Sequence, residues 1–172
     1  MDLLRVEEFE AFYRLMEKSF PVDERRPAAA ARALLEEPGY RVFVARDTDG
    51  SLLGFLATWT LGEWLFLEHL AVDPERRNEG IGGRLLRDVV ASAGLRVCLE
   101  VELPTDTLKQ RRIAFYERNG FFYNEQPYVQ PPLFAGQGSV PLRLMTTRGG
   151  LDGVEFDALR RLLYTRVYRV NE

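Results

Sequence analysis

Residues 77–83 read Arg-Asn-Glu-Gly-Ile-Gly-Gly and stand where a strand-like pattern gives way to a helical one. The first N–H groups of a helix lack intrahelical partners, and the helix dipole adds partial positive charge there. A glycine-opened helix start after a strand is therefore a place for an anion. Gly80, Gly82 and Gly83 carry no side chains, so an extended phosphate chain can lie against the backbone, with Arg76 and Arg77 as adjacent cations. Two nucleotide motifs are excluded. A P-loop needs lysine and then Ser/Thr after its last glycine, where Arg84 and Leu85 stand instead. A dinucleotide fingerprint needs G-x-G-x-x-G in the first unit of a parallel sheet, whereas here the spacing is G-x-G-G and a strand meander precedes it.

Three carboxylates interrupt apolar strand patterns, where charge is seldom buried without a purpose. Glu68 lies in "EWLFLEHLAV", and Glu100 and Glu102 share one face of "LRVCLEVEL". Alternation puts Phe66, Glu68 and Leu70 on one face of their strand and directs His69 to the other, so His69 reads as a packed, hydrogen-bonded residue. Cys98 sits in an apolar run and reads as a buried small residue. One histidine and one cysteine on different strands give no metal-ligand spacing, so no metal is expected.

The elements that must position these residues follow from hydrophobic period. Phe9, Phe12, Tyr13, Met16 and Phe20 recur at helical spacing, predicting a helix over 6–19 that Pro21 stops. A second helix begins near Pro27 and ends before the Pro-Gly at 38–39. "YRVFVARD", "SLLGFLATWTL" and "EWLFLEHLAV" then alternate as three antiparallel strands over 40–73. A helix over about 80–92 with apolar Ile81, Leu85, Leu86, Val89 and Val90 ends at Gly94. A strand at 95–103, a helix closed by Asn119-Gly120, a strand from Phe121 and a last strand at 139–147 complete the order. Residues 126–139, rich in Pro, Gly and Gln, read as one long loop. The tail has apolar residues at helical spacing over 154–169. A mixed α/β sheet with helices on both faces is the simplest arrangement of that order.

The 172 residues suit a single domain, and 46% hydrophobic residues suffice for a core, which excludes a disordered chain. A net charge of −3 argues against nucleic acid as a partner. No apolar run approaches the ~18 residues of a membrane-spanning helix, and the acidic start "MDLLRVEEFE" is unlike a secretory signal, so a cytoplasmic protein without membrane partners is expected.

"LAVDPERRNEGIGGRLL" resembles the acyl-CoA-binding segment of the GNAT family of N-acetyltransferases, whose core pattern is Arg/Gln-x-x-Gly-x-Gly/Ala. Arg77-Asn78-Glu79-Gly80-Ile81-Gly82 matches it at every position. Downstream, "IAFYERNGF" (113–121) resembles the family's second segment, a helix carrying a tyrosine shortly before glycine–phenylalanine. The resemblance covers about residues 5–147, giving an acetyltransferase domain over 1–147 and a helical extension of the same domain over 148–172. Two departures stand out. Lys109 or Gln110 occupies a position often held by asparagine, and the interval "PTDTLKQRR" is longer than the pattern.

The resemblance implies the acyl-CoA N-acyltransferase fold, a mostly antiparallel sheet of about six or seven strands with helices on both faces. It implies direct transfer of acetyl from acetyl-CoA, as co-substrate, to a primary amine, and the long loop over 126–139, able to close a cleft, favours the amine of a small molecule. The alternatives are a peptide or protein N-acetyltransferase and a non-catalytic acyl-CoA sensor. It further implies that Arg77, Asn78, Glu79, Gly80, Ile81, Gly82 and Gly83 hold the pyrophosphate. Leu70, Ala71 and Val72 then bind thioester and pantetheine through main chain. Tyr116 is the candidate acid for the leaving thiolate; Glu68 is the first candidate base and Glu100 the second. Glu102, near its strand end, reads as solvated or substrate-facing. The first helices and the late loop usually build the acceptor pocket, so Tyr123, Tyr128 and Phe134 are candidate walls and Asp23, Glu24 and Glu125 candidate cation-attracting groups. The chain is expected to be a monomer or homodimer.

Overall fold

A computed structural model describes residues 2–170. They fall into two compact units: one comprises the chain up to Thr60 together with Leu67–Gly94, the other Leu61–Phe66 and the chain from Leu95 onward.

In the first unit the N-terminal helical pattern forms a 3-10 turn at Val6–Glu8 and then α1 (Phe9–Ser19). Helix α1 buries Phe9, Phe12, Tyr13, Leu15 and Met16, and Phe12 meets Phe55 edge-on with centroids 4.8 Å apart. Each such fully buried aromatic contributes about 1.5–3 kcal/mol. Helix α2 (Ala28–Leu34) begins directly after Pro27, which holds an extended conformation there. β1 (Asp2–Leu3) pairs antiparallel with β2 (Tyr40–Arg46), and β2 with β3 (Leu52–Leu61). The turn between β2 and β3 uses Gly50 at φ 88, a left-handed conformation that glycine adopts without strain. β4 (Trp64–Val72) follows β3 in the strand order, and α3 (Ile81–Ala93) ends at Gly94, which caps it at φ 66.

The second unit holds the start of β4, then β5 (Arg96–Glu102), β8 (Val140–Thr147) and β6 (Phe121–Tyr123) in that order. β8 runs antiparallel to both β5 and β6. Helix α4 (Thr107–Arg118) starts on Asp106, whose carboxylate accepts from Lys109 N at 2.9 Å. Helix α5 (Gly153–Leu163) starts on a reciprocal Asp152–Glu155 capping box and continues into a π-helical turn, Tyr164–Tyr168. The register puts Leu99, Met145, Thr147 and Phe121 on one face and Glu100 and Leu144 on the other. Tyr116 of α4 packs on Phe121, while Tyr168 reaches Glu100, so helical segments cover both faces.

The mixed α/β, mostly antiparallel arrangement and the C-terminal helix agree with the sequence-based expectation. Two strands exceed it. β1 is only two residues long, too short to carry a period. The expected loop over 126–139 contains β7 (Tyr128–Gln130), paired antiparallel with β8, so the true hairpin loop is 131–139. The β8 ladder holds this short segment extended, and Tyr128 and Gln130 both bond to Glu100.

Candidate active site

The glycine segment belongs to the first unit. After β4, Asp73 accepts from Glu75 N at 3.0 Å and caps a 3-10 turn at Pro74–Arg76. Asn78 (φ 68) and Gly80 (φ 75) are both left-handed, and Gly80 becomes the N-cap of α3. A side chain on Gly82 would stand 3.2 Å from Val72 Cγ2, and one on Gly54 would strike the Ala71 carbonyl oxygen at 2.7 Å. These glycines let neighbouring backbone approach the end of β4 closely. Ile81 is buried and so offers any ligand its main chain only, whereas Arg77 and Asn78 are exposed. One sequence reading is corrected: Arg76 is engaged by Asp47 at 2.5 Å and Glu79 at 2.9 Å, so it is not an available cation. The Glu79 carboxylate is spent on the same contact, which leaves its backbone for an anion.

Glu68 carries the most constrained carboxylate of this unit. Its side chain is 3% exposed and its Oε1 lies 2.5 Å from Arg26 Nη1. Burial pushes its pKa up, but the Arg26 charge and His69 pull harder and hold it at about 2. His69 Nε2 lies 3.0 Å from the Glu24 carbonyl, which can only accept, so that nitrogen bears the proton. His69 is packed edge-on against Phe20 at 4.7 Å, as a core histidine would be. Strand alternation does not keep it from Glu68, however: His69 Nδ1 is 3.7 Å from Glu68 Oε2. Both atoms are buried, and neither has a hydrogen-bond partner among the described residues. Alternation fixes Cβ directions but not where long side chains end.

The remaining candidates lie in the second unit. Tyr116 is half-buried between Phe115 and Phe121, with ring centroids 5.2 and 5.7 Å away, and burial lifts its phenol to about 12. Glu100 accepts from Tyr128 Oη at 2.5 Å, from Gln130 Nε2 at 2.8 Å, and from Tyr168 Oη at 2.8 and 2.6 Å. Tyr128, expected as a pocket wall, is instead 1% exposed and ties β7 to β5. Glu102, expected to be solvated or substrate-facing, is partly exposed and pairs with the exposed Arg112 at 2.5 Å. Tyr123 is half-buried and Glu125 exposed, both lining a cavity of about 600 Å³ with Ile113, Glu117 and Phe122. Cys98 is fully buried, and burial pushes its thiol up.

Sequence reasoning missed Arg26, Gln130 and Tyr168. Arg26 lies 42 residues from its partner, and no local pattern announces such a pairing. Among the described residues, no group of three or more His, Cys, Asp or Glu side chains could hold a metal ion, and no helix is long and apolar enough to cross a membrane.

Several known proteins are similar to this chain. Rat N-acetyltransferase family 8 member 3 is 31% identical over 48% of the chain, and YjbC of Bacillus subtilis is 28% identical over 64%. The chain spans 39% and 56% of their respective lengths. A GNAT-family protein of Bacteroides thetaiotaomicron superposes with a TM-score of 0.86 at 31% identity, covering 99% of this chain and 98% of that one. The Escherichia coli ribosomal-protein-S18-alanine N-acetyltransferase shares the fold, with a TM-score of 0.67 at 19% identity over 88% of this chain and 94% of that one. The Acetyltransferase (GNAT) family matches residues 9–121, from the first turn of α1 to the start of β6. That span holds both the glycine-opened helix and the tyrosine-bearing one, and the chain belongs to the Acetyltransferase (GNAT) family.

Proposed function

We propose that the protein transfers acetyl from acetyl-CoA to the primary amine of a small molecule in the cytoplasm. The observation that carries this reading is the start of α3: Gly80 caps it in a left-handed conformation, directly after β4, in a chain of the GNAT family. The N–H groups of Ile81, Gly82 and Gly83, with Arg77 and Asn78, then receive the pyrophosphate, and Leu70, Ala71 and Val72 bind by main chain.

In the reaction the amine nitrogen forms a bond to the thioester carbon, the C–S bond breaks, the amine loses a proton and the thiolate gains one. Tyr116 donates the proton to sulfur. Its phenol stays protonated across the neutral range, and the burial that weakens it as an acid raises a neighbouring thiol in the same sense. Glu68 remains charged at neutral pH and is the first candidate to take the amine's proton, directly or through a water, and release it to solvent. Glu100 is the second candidate base, and it accepts hydrogen bonds from Tyr128, Gln130 and Tyr168.

The test is calorimetric titration with acetyl-CoA, followed by release of free thiol with spermidine, a simple aminoalkane and an alanine-ended peptide. Spermidine and the peptide are included because spermidine N-acetyltransferase SpeG variants from Vibrio cholerae and the S18-alanine enzyme share the fold. Binding with thiol release on a small amine is expected. Binding without release on any of the three would make the protein a sensor, release on the peptide alone would overturn the small-molecule assignment, and no binding would overturn the whole reading.

A further inference from the structure

The sequence suggests that the C-terminal helix is an appendage to the family core, yet its last turn is bonded into the second unit at a single carboxylate. Glu100 of β5 accepts from Tyr168 of the π turn and from Tyr128 and Gln130 of β7. Gln130 Nε2 also donates to Tyr168 Oη at 3.0 Å, which closes the cluster. Four residues earlier in the same turn, Tyr164 Oη donates to the Val129 carbonyl, and its ring lies 5.9 Å from that of Tyr128. Every residue of β7 is thus held by a tyrosine of the C-terminal segment or by a carboxylate that such a tyrosine holds. The turn itself is unusual: it is π-helical and is stopped by Arg169 in a left-handed conformation at φ 57. Such turns are rare and concentrate at functional sites.

β7 is the rising arm of a hairpin. Gln130 pairs with Val140, and the nine residues between them are the Pro- and Gly-rich loop 131–139. A loop without regular structure takes its position from its base. Here the base is fixed by the Glu100 cluster at one arm and by β8 at the other.

We propose that Tyr168, with Tyr164, is a positioning residue for acceptor binding: the C-terminal segment clamps β7 and so sets the loop 131–139 that receives the amine. The proposal rests on the acetyltransferase reading and on this loop lining the acceptor pocket. Tyr168→Phe removes the hydroxyl that bonds both oxygens of Glu100 and keeps the ring, which is 8% exposed.

The experiment compares the unaltered protein with Tyr168→Phe, using the amine that the unaltered protein turns over best. The variant is expected to raise KM for the amine at least ~5-fold while KM for acetyl-CoA stays within about 2-fold, a modest part of the ~10-fold or more that losing a bond to a charged group typically costs. Chymotrypsin cleavage after Leu133 or Phe134, located by mass spectrometry, is expected to accelerate by a similar factor. A residue that only stabilised the fold would raise both KM values together or neither. Unchanged cleavage overturns the clamp, as does faster cleavage with an unaltered KM for the amine. If the unaltered protein turns over no amine, the acetyltransferase reading fails separately, and cleavage alone decides whether Tyr168 holds the hairpin. Tyr164→Phe serves as the second variant should Tyr168→Phe not fold, with the same outcomes.

Discussion

Arg26 Nη1 lies 2.5 Å from Glu68 Oε1, and the two side chains are 10% and 3% exposed. A pair buried this deeply is costly to break, because the survivor is left as an uncompensated charge at about 3–5 kcal/mol. Arg26→Met is therefore expected to lower the unfolding free energy by about 3 kcal/mol, whereas Arg26→Met with Glu68→Gln loses less than the single variant. Urea unfolding of the two variants and the parent checks this. A single variant within about 0.5 kcal/mol of the parent would contradict it.

The same pair sets a pH window. The folded pKa of Glu68, about 2, is below its ordinary 4.5, so the unfolded chain binds its proton more readily. Its contribution to stability is complete above about pH 4.5 and is lost as the pH falls toward 2. Glu68→Gln is expected to give a lower but flatter curve of urea midpoint against pH over that interval. Parallel curves for the parent and the variant would remove Glu68 from acid unfolding.

Tyr116 separates binding from chemistry. Tyr116→Phe keeps the ring contacts with Phe115 and Phe121 and is expected to leave the Kd for acetyl-CoA within about 2-fold. Turnover should fall at least ~10-fold, the lower end of acid catalysis. Calorimetry and thiol release report the two quantities independently, and an undiminished kcat would end the case for this phenol as the acid.

Gly54 tests the end of β4 from its neighbour. A methyl group there meets the Ala71 carbonyl oxygen at 2.7 Å, and backbone cannot yield as a flexible side chain does. Gly54→Ala is expected to cost about 1–3 kcal/mol in stability, as overpacking does. If Leu70–Val72 bind by main chain, its Kd for acetyl-CoA rises as well. A variant as stable as the parent, with unaltered affinity, would count against both statements.

How far the sequence could be read depended on the range of the interaction responsible. Period alone located α1, α3 and the β2–β4 meander, because burying one face of a helix or strand is a local demand that repeats along it. Gly80 and Gly94 marked both ends of α3, since each holds a left-handed conformation that few other residues accept. β7 was invisible because its extended form comes from pairing with β8 and from Tyr128 and Gln130 reaching Glu100, 28 and 30 residues away. The same is true of the site. The glycine cradle and Tyr116 are contiguous motifs and could be named, while Arg26, which pairs with Glu68, and the partners of Glu100 come from other elements. Arg76 shows the opposite error: its position beside the glycines suggested a free cation, and Asp47, 29 residues earlier, had already claimed it.

The burial of Cys98 has a practical consequence. It is the chain's one thiol, fully enclosed in β5 and held in its protonated, unreactive form. Disulfide reagents that colour on meeting a free thiol will therefore see, where acetyl transfer proceeds as proposed, only the coenzyme it releases. The folded protein can be assayed continuously in their presence with a flat baseline, and a rising baseline in a variant will announce that β5 has opened.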